Sequence, residues 1–214
     1  MTTLTEARRN WEFIVSEQPG HRSREAKSVY SGGASTTIRG GTILGAPVDT
    51  DDSNWTVTNA GTGDGATTFN ATPTGAGVKA GAYVAKMTGA GATAPFDLFD
   101  PDGLYVGAGA VGTEFVGPIV FTIADGGSNF AAGDTVTIEV PAAAHVRWNP
   151  DGADGSERVA GVLCEAVTGT VTTTVIVRDA EVNGHHLTYN DSATDAEKAT
   201  AQAGLAALGI VVRS

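Results

Sequence analysis

The chain reads as short apolar stretches cut by glycine-rich turns. Along much of its length apolar and polar residues alternate with a period of two, the pattern of a strand with one buried and one wet face. Val136, Ile138 and Val140 alternate with Thr137 and Glu139 in this way. Runs such as Thr172–Val177 are β-branched, which disfavours helix and favours strand. The pattern predicts strands at 27–30, 36–38, 42–45, 55–58, 67–71, 82–87, 96–99, 104–106, 114–123, 135–140, 145–148, 159–167 and 170–177, with a terminal one at 210–213. Turn signals separate them at Asp64-Gly65, Asp100-Pro101-Asp102-Gly103, Asp125-Gly126-Gly127 and Asn149–Gly155. A helix is announced near the C-terminus. Thr194 and Glu197 have capping-box spacing, Asp195 sits in the first turn, and Gly209 marks the stop. Leu205 and Leu208 supply most of its bulk among small alanines.

The ends of the chain differ from its middle. Residues 1–9 allow a short helical turn, and Trp11-Glu12-Phe13-Ile14-Val15 follows. On an extended chain Trp11, Phe13 and Val15 fall on one side. This strip reads either as a frayed end whose Trp11 tucks onto its own domain or as an arm that adds a strand to another subunit's sheet. Polar residues with Pro19-Gly20 carry the chain to Glu25, so residues 1–25 are taken as a flexible N-terminal arm. Composition shifts at Asp49-Thr50-Asp51-Asp52 and shifts back after Pro141-Ala142-Ala143-Ala144. The plan that follows is nested. Residues 26–48 and 145–214 form one discontinuous β-rich core carrying the helix. Residues 49–144 form an inserted antiparallel β-sandwich-like module, since insertion at a surface turn costs little loop entropy. A tandem arrangement would leave 26–48 short of partners. The fold class is mainly β.

Charge sharpens this division. The net charge is −11. Residues 1–48 carry a balance of +2, residues 49–144 one of −9 and residues 145–214 one of −4. No basic stripe tracks phosphates, which argues against direct nucleic-acid binding. No apolar run approaches the ~20 residues of a membrane span. The N-terminus has no apolar h-region, so synthesis and folding in a cytoplasm are expected. The 29 glycines, about twice the usual share of roughly 7%, have no period of three and fit tight turns instead of collagen.

Candidate chemistry is sparse. Cys164, the one cysteine, lies in an apolar run and reads as a buried, inert thiol. His185 and His186 are adjacent, so on a strand they point to opposite faces and cannot chelate together; His21 and His145 lie far away. The Asp100–Gly103 and Asn149–Asp154 loops lack the ligand ladder of a calcium loop, and Asx turns explain both. There is no G-x-S-x-G elbow, and Gly61–Gly65 lacks the lysine and helix of a phosphate loop. No catalytic, cofactor or metal residue is assigned, and the reading is a non-enzyme.

Several weak motifs in one order carry a resemblance. Glu17-Gln18-Pro19-Gly20-His21-Arg22-Ser23-Arg24-Glu25 is followed by Gly40-Gly41-Thr42-Ile43-Leu44-Gly45. Trp148-Asn149-Pro150-Asp151-Gly152-Ala153-Asp154-Gly155 leads into Val159–Leu163, then Val177–Val182, the capped helix and Leu208-Gly209-Ile210-Val211-Val212-Arg213. These stretches resemble the lambda-type phage head decoration proteins over about 15–48 and 145–214. The block 55–140 departs from the short members of that family and looks like a Gly/Thr-rich β module.

The resemblance implies a homotrimer on the outer surface of the expanded capsid, at local three-fold positions. There it would clamp the major capsid protein against the pressure of packaged DNA. It also implies an N-terminal arm that orders on capsid strands. Trp11, Phe13, Ile14, Val15, Arg22 and Arg24 are the residues expected to bind the capsid, and Leu205, Leu208 and Ile210 those expected at the trimer contact. The competing reading is a sandwich module displayed on a virion or cell surface for glycan or host attachment. It would stack sugars on Trp55, Tyr83 or Tyr105, although core packing explains each of them as well.

Overall fold

The computed structural model describes residues 9–213. It is mainly β, with several antiparallel sheets and one C-terminal helix. In chain order the first strands are β1 (Ile14–Glu17), β2 (Arg24–Tyr30), β3 (Thr37–Ile38) and β4 (Ile43–Gly45). Then come β5 (Thr56–Ala60), β6 (Thr67–Thr74), β7 (Gly81–Met87), β8 (Pro95–Phe99), β9 (Tyr105–Ala110), β10 (Ile119–Ile123) and β11 (Thr135–Val140). The chain ends with β12 (Val146–Arg147), β13 (Val159–Leu163), β14 (Val167–Thr168), β15 (Thr170–Ile176), β16 (Ala180–Asn183), α1 (Asp195–Ala207) and β17 (Ile210–Arg213). It divides into two compact units. One comprises residues up to Ala46, Ala144–Gly152 and from Ser156 onward; the other comprises Pro47–Ala143 with Ala153–Gly155.

The first unit is organised by a five-stranded sheet of order β12-β4-β13-β15-β2. Its central strands are apolar at consecutive positions because both faces are covered. Ile43, Val162 and Ile176 face one cluster with Phe13, Trp148, Val182, Leu205 and Ile210. Their neighbours Leu44, Leu163 and Val175 face a second cluster with Val29, Ile38 and Val167. The first of these faces is covered by α1 and by a three-stranded sheet of order β1-β16-β17, in which β16 and β17 run parallel.

The helix starts where the sequence places it. Thr194 Oγ1 accepts from Glu197 N–H at 3.3 Å, and Glu197 Oε2 accepts from Thr194 N–H at 2.7 Å, which satisfies two otherwise orphaned donors. It stops at Gly209, whose φ of 74° suits glycine, and a Cβ there would meet Asp179 Oδ1 at 2.7 Å.

The second unit has a five-stranded antiparallel sheet of order β5-β11-β7-β8-β9 and a two-stranded sheet of β10 and β6. Tyr83, Phe96, Phe121, Phe130, Ile119, Ile123 and Met87 fill its core. The segments that lead into and out of this unit pair with each other. Ala143 N–H donates to Pro47 O at 3.0 Å and Asp49 N–H to Pro141 O at 2.8 Å.

Several expectations change. The run 114–123 is not one strand: Gly117-Pro118 turns the chain, so Phe115 bridges back to Phe121 and the strand begins at Ile119. The run 159–167 breaks after Leu163 into β13 and β14. His185 and His186 lie in a 3-10 turn instead of a strand. The helical turn expected at 1–9 falls almost wholly outside the described residues. Trp11, Phe13 and Val15 do not share one side. Trp11 has φ 70°, Ile14 N–H closes a turn onto Trp11 O, and the pairing of β1 with β16 shifts register between Ile14 and Ser16. Phe13 therefore points into the core while Val15 is 56% exposed.

Candidate functional site

Among the described residues the features that bear on function lie mainly on surfaces. Among the described residues no three His, Cys, Asp or Glu side chains are grouped to hold a metal ion. Cys164 is fully buried, and burial pushes its thiol up to about 12, so it stays protonated and unreactive. A shallow cavity of about 310 Å³ opens between Glu17, Asp179 and Glu181 in the first unit. Two of its carboxylates are already committed, Glu17 to Arg24 and Glu181 to Arg213.

The leading segment is held on its own unit. Trp11 N–H donates to Cys164 O at 3.1 Å, and Ala166 N–H donates to Asn10 Oδ1 at 3.2 Å. Asn183 N–H donates to Phe13 O at 2.7 Å, while β1 continues along β16 through Glu17. Phe13 is 1% exposed within the core that also holds Trp148 and Leu205. The Arg24 guanidinium lies 4.5 Å above the Trp11 ring and pairs with both Glu17 oxygens, and the Glu17 hydrogen bond raises the arginine's already high pKa.

Of the six residues expected to meet the capsid, Phe13 thus faces its own core, and Trp11, Ile14 and Arg24 are half-buried. Val15 and Arg22 are exposed. Looseness of the arm does not extend to residues 13–17, because strand pairing and the Phe13 socket fix them. The strand that receives them, β16, is absent from the sequence prediction. The alternation Ala180-Glu181-Val182 between Asp179 and Asn183-Gly184 was the available signal.

The three residues expected at the trimer contact separate in the same way. Leu205 and Ile210 are fully buried in the first unit, so neither is available to another subunit. Leu208 is half-buried. Next to them Val211, which faces outward from β17, is 44% exposed.

In the second unit the carboxylates fasten loops. Asp134 accepts from Thr62 N–H, Thr62 Oγ1, Gly63 N–H and Ala131 N–H at 3.0–3.1 Å, and these bonds lower its pKa. In the Asp100 turn Oδ1 accepts from the Asp102 and Leu104 amides, and Lys79 Nζ bridges Asp100 and Asp102. Burial alone would raise the Asp100 pKa; the Lys79 and backbone hydrogen bonds outweigh it, and the net shift is downward. Trp55 and Tyr83 are core residues, Trp55 donating Nε1–H to Asp49 O and the Tyr83 hydroxyl accepting from Lys79 N–H. Tyr105 differs from both: it is 59% exposed at the start of β9.

Comparison with known proteins adds what geometry alone does not supply. The family model for bacteriophage lambda head decoration protein D matches residues 3–210. No curated protein matches the chain. Among solved structures, the crystal structure of Xanthomonas campestris FlgL aligns with 52% of this chain and 34% of that one, at 20% identity and a TM-score of 0.29. The chain thus spans about a third of the length of that protein, a likeness too slight to carry any argument. With nearly every described residue inside the family match, the chain belongs to the bacteriophage lambda head decoration protein D family and is a phage head decoration protein.

Proposed function

We propose that this protein binds the outer surface of the expanded phage head as a homotrimer at local three-fold positions. There it clamps neighbouring major capsid subunits against the pressure of packaged DNA. The family match over residues 3–210 carries this reading. The surface chemistry supports it. The leading 48 residues have a balance of +2 and the inserted block one of −9, so the first suits a capsid contact and the second suits solvent, where like charge keeps particles dispersed. Of the six candidate arm residues Val15 and Arg22 are exposed, and in this reading they touch the capsid, with Phe13 and Ile14 anchoring the segment behind them. The subunit contact falls on the outer side of β17, at Val211 and the half-buried Leu208. Three such contacts on one trimer turn modest single affinities into lasting attachment.

The test mixes purified protein with empty expanded heads and images them. Density at the local three-fold positions is expected, and heads with bound protein should resist heat better than bare ones. Val15→Asp combined with Arg22→Glu should lower occupancy with no change in melting. Val211→Arg should shift the sedimenting species toward monomer. A protein that sediments as a monomer at micromolar concentration and leaves expanded heads bare overturns the proposal.

A further inference from the structure

The inserted unit has a sheet edge at β9. In its five-stranded sheet β9 pairs with β8 alone. Val111 N–H donates to Ala94 O, and the register sets Ala110 opposite Pro95 and Ala108 opposite Asp97. Alternation in an antiparallel ladder then aims Gly107 and Gly109 at β8 and leaves the N–H and C=O of Ala108 pointing outward. Natural edge strands are protected by charge, proline or a covering element. From Gly103 to Thr113 this one has neither a charged residue nor a proline, Ala108 is exposed, and Leu104 and Tyr105 at its start are 63% and 59% exposed.

The side chains around this edge specify what fits. On the outer face the row across the sheet runs Lys86, Asp97, Ala108. Lys86 and Asp97 are in register on neighbouring strands. A residue added opposite Ala108 would sit about 10 Å from Asp97, one hydrogen-bonded and one non-hydrogen-bonded spacing away. Only the methyl group of Ala108 lies between, so a lysine or arginine can stretch across it to the carboxylate. The opposite edge, β5, differs: a β-branched Thr56 stands between any added strand and Glu139. On the inner face of β9 the glycines make room for aromatic rings that reach the edge. A Cβ at Gly109 would meet Phe96 Cζ at 2.4 Å, and one at Gly107 would touch Phe115 at 3.4 Å. Residues flanking the added base face these rings and are therefore apolar. The surrounding block has a balance of −9, which favours a cationic partner and opposes a second copy of the same edge.

We propose that β9 is a docking edge for an extended, cationic peptide segment of a partner protein, which adds as a sixth strand with a lysine or arginine opposite Ala108 and apolar residues on either side. The probe is the capped, fluorescently labelled peptide VTVKVTV, titrated with the full chain and followed by anisotropy. Saturable binding is expected, with VTVEVTV binding more weakly. Ala108→Pro removes the outward donor but none of the bonds to β8, and should weaken binding by about tenfold or more. Asp97→Asn should weaken VTVKVTV by about two- to fivefold and leave VTVTVTV unchanged. Where Ala108→Pro alters the circular dichroism or the melting point, Ala108→Lys, a charged edge that keeps the backbone, serves in its place. Equal binding by the wild type and the edge variants, or no binding of VTVKVTV, overturns the proposal. So does concentration-dependent self-association that the edge variants abolish, which would make the occupant a second copy.

Discussion

Phe13→Ala tests whether the leading segment belongs to the core of the first unit. A buried phenylalanine removes on the order of 150–250 Å² from water. At about 25 cal/mol per Å² that is roughly 4–6 kcal/mol before allowance for a compact unfolded state. Truncation in a packed core costs about 3–5 kcal/mol, and the 1% exposure of Phe13 among Trp148, Val182 and Leu205 places it in that class. For a domain near 100 residues each kcal/mol moves the midpoint by about 4–8 °C, so a fall of about 12 °C or more is expected. The segment has one way to soften this loss: residues 9–17 peel away instead of leaving a hole, and the cost falls to their docking energy. Trp11 would then leave its place under Arg24, and its fluorescence would move toward that of a solvated indole. Calorimetry of the full chain reads the midpoint. Fluorescence in a Trp55→Phe background assigns it, since Trp11 and Trp148 then both report the first unit. A shift under about 2 °C with no change in Trp11 emission would refute the socket and restore a wholly mobile arm.

Further outcomes follow from other parts of the molecule. Replacing 47–143 by a two-residue turn should leave the first unit folded, since the segments at the junction are hydrogen-bonded neighbours; loss of its cooperative melt would show that the units depend on each other. Thr194→Ala should cost about 1 kcal/mol through the lost cap. Because Thr194 holds the Glu197 pKa below its ordinary value, the stabilisation is complete above the unfolded pKa and is lost as pH falls through the folded one, so the wild-type and variant melting curves should converge in acid. His145 is depressed by burial and then by Lys27. Its NMR titration midpoint should therefore lie below about 6.5, and protonation should destabilise the fold as pH drops through that range. Cys164 should resist iodoacetamide at pH 8 in folded protein and react readily in denaturant; comparable rates would contradict its burial.

What was legible in the sequence was whatever a single local rule decides. Thr194, Glu197 and Gly209 mark the helix because caps and left-handed stops are chemical requirements of a few neighbouring residues. The alternation of Val136, Ile138 and Val140 locates β11 because one face of that strand is wet. The leading strip was not legible. Its fate depends on Val182, more than 160 positions away, and on a positive φ at Trp11 that no propensity announces. Leu205 and Ile210 illustrate the same limit. Large apolar residues near a terminus suit a subunit contact as well as a private core, and only the presence of Phe13 and Trp148 beneath them decides. The break after Leu163 has no local signal for a related reason: Cys164 and Val167 are apolar, but one serves the first core cluster and the other the second.

The burial of Cys164 bears on the life of a particle. A virion assembled in a reducing cell is released into oxidising surroundings, where accessible thiols become disulfides and sulfenic acids. This subunit brings a single sulfhydryl, and it is shut away with its proton in place. A shell dressed with many copies would gain no disulfide cross-links through Cys164 on release.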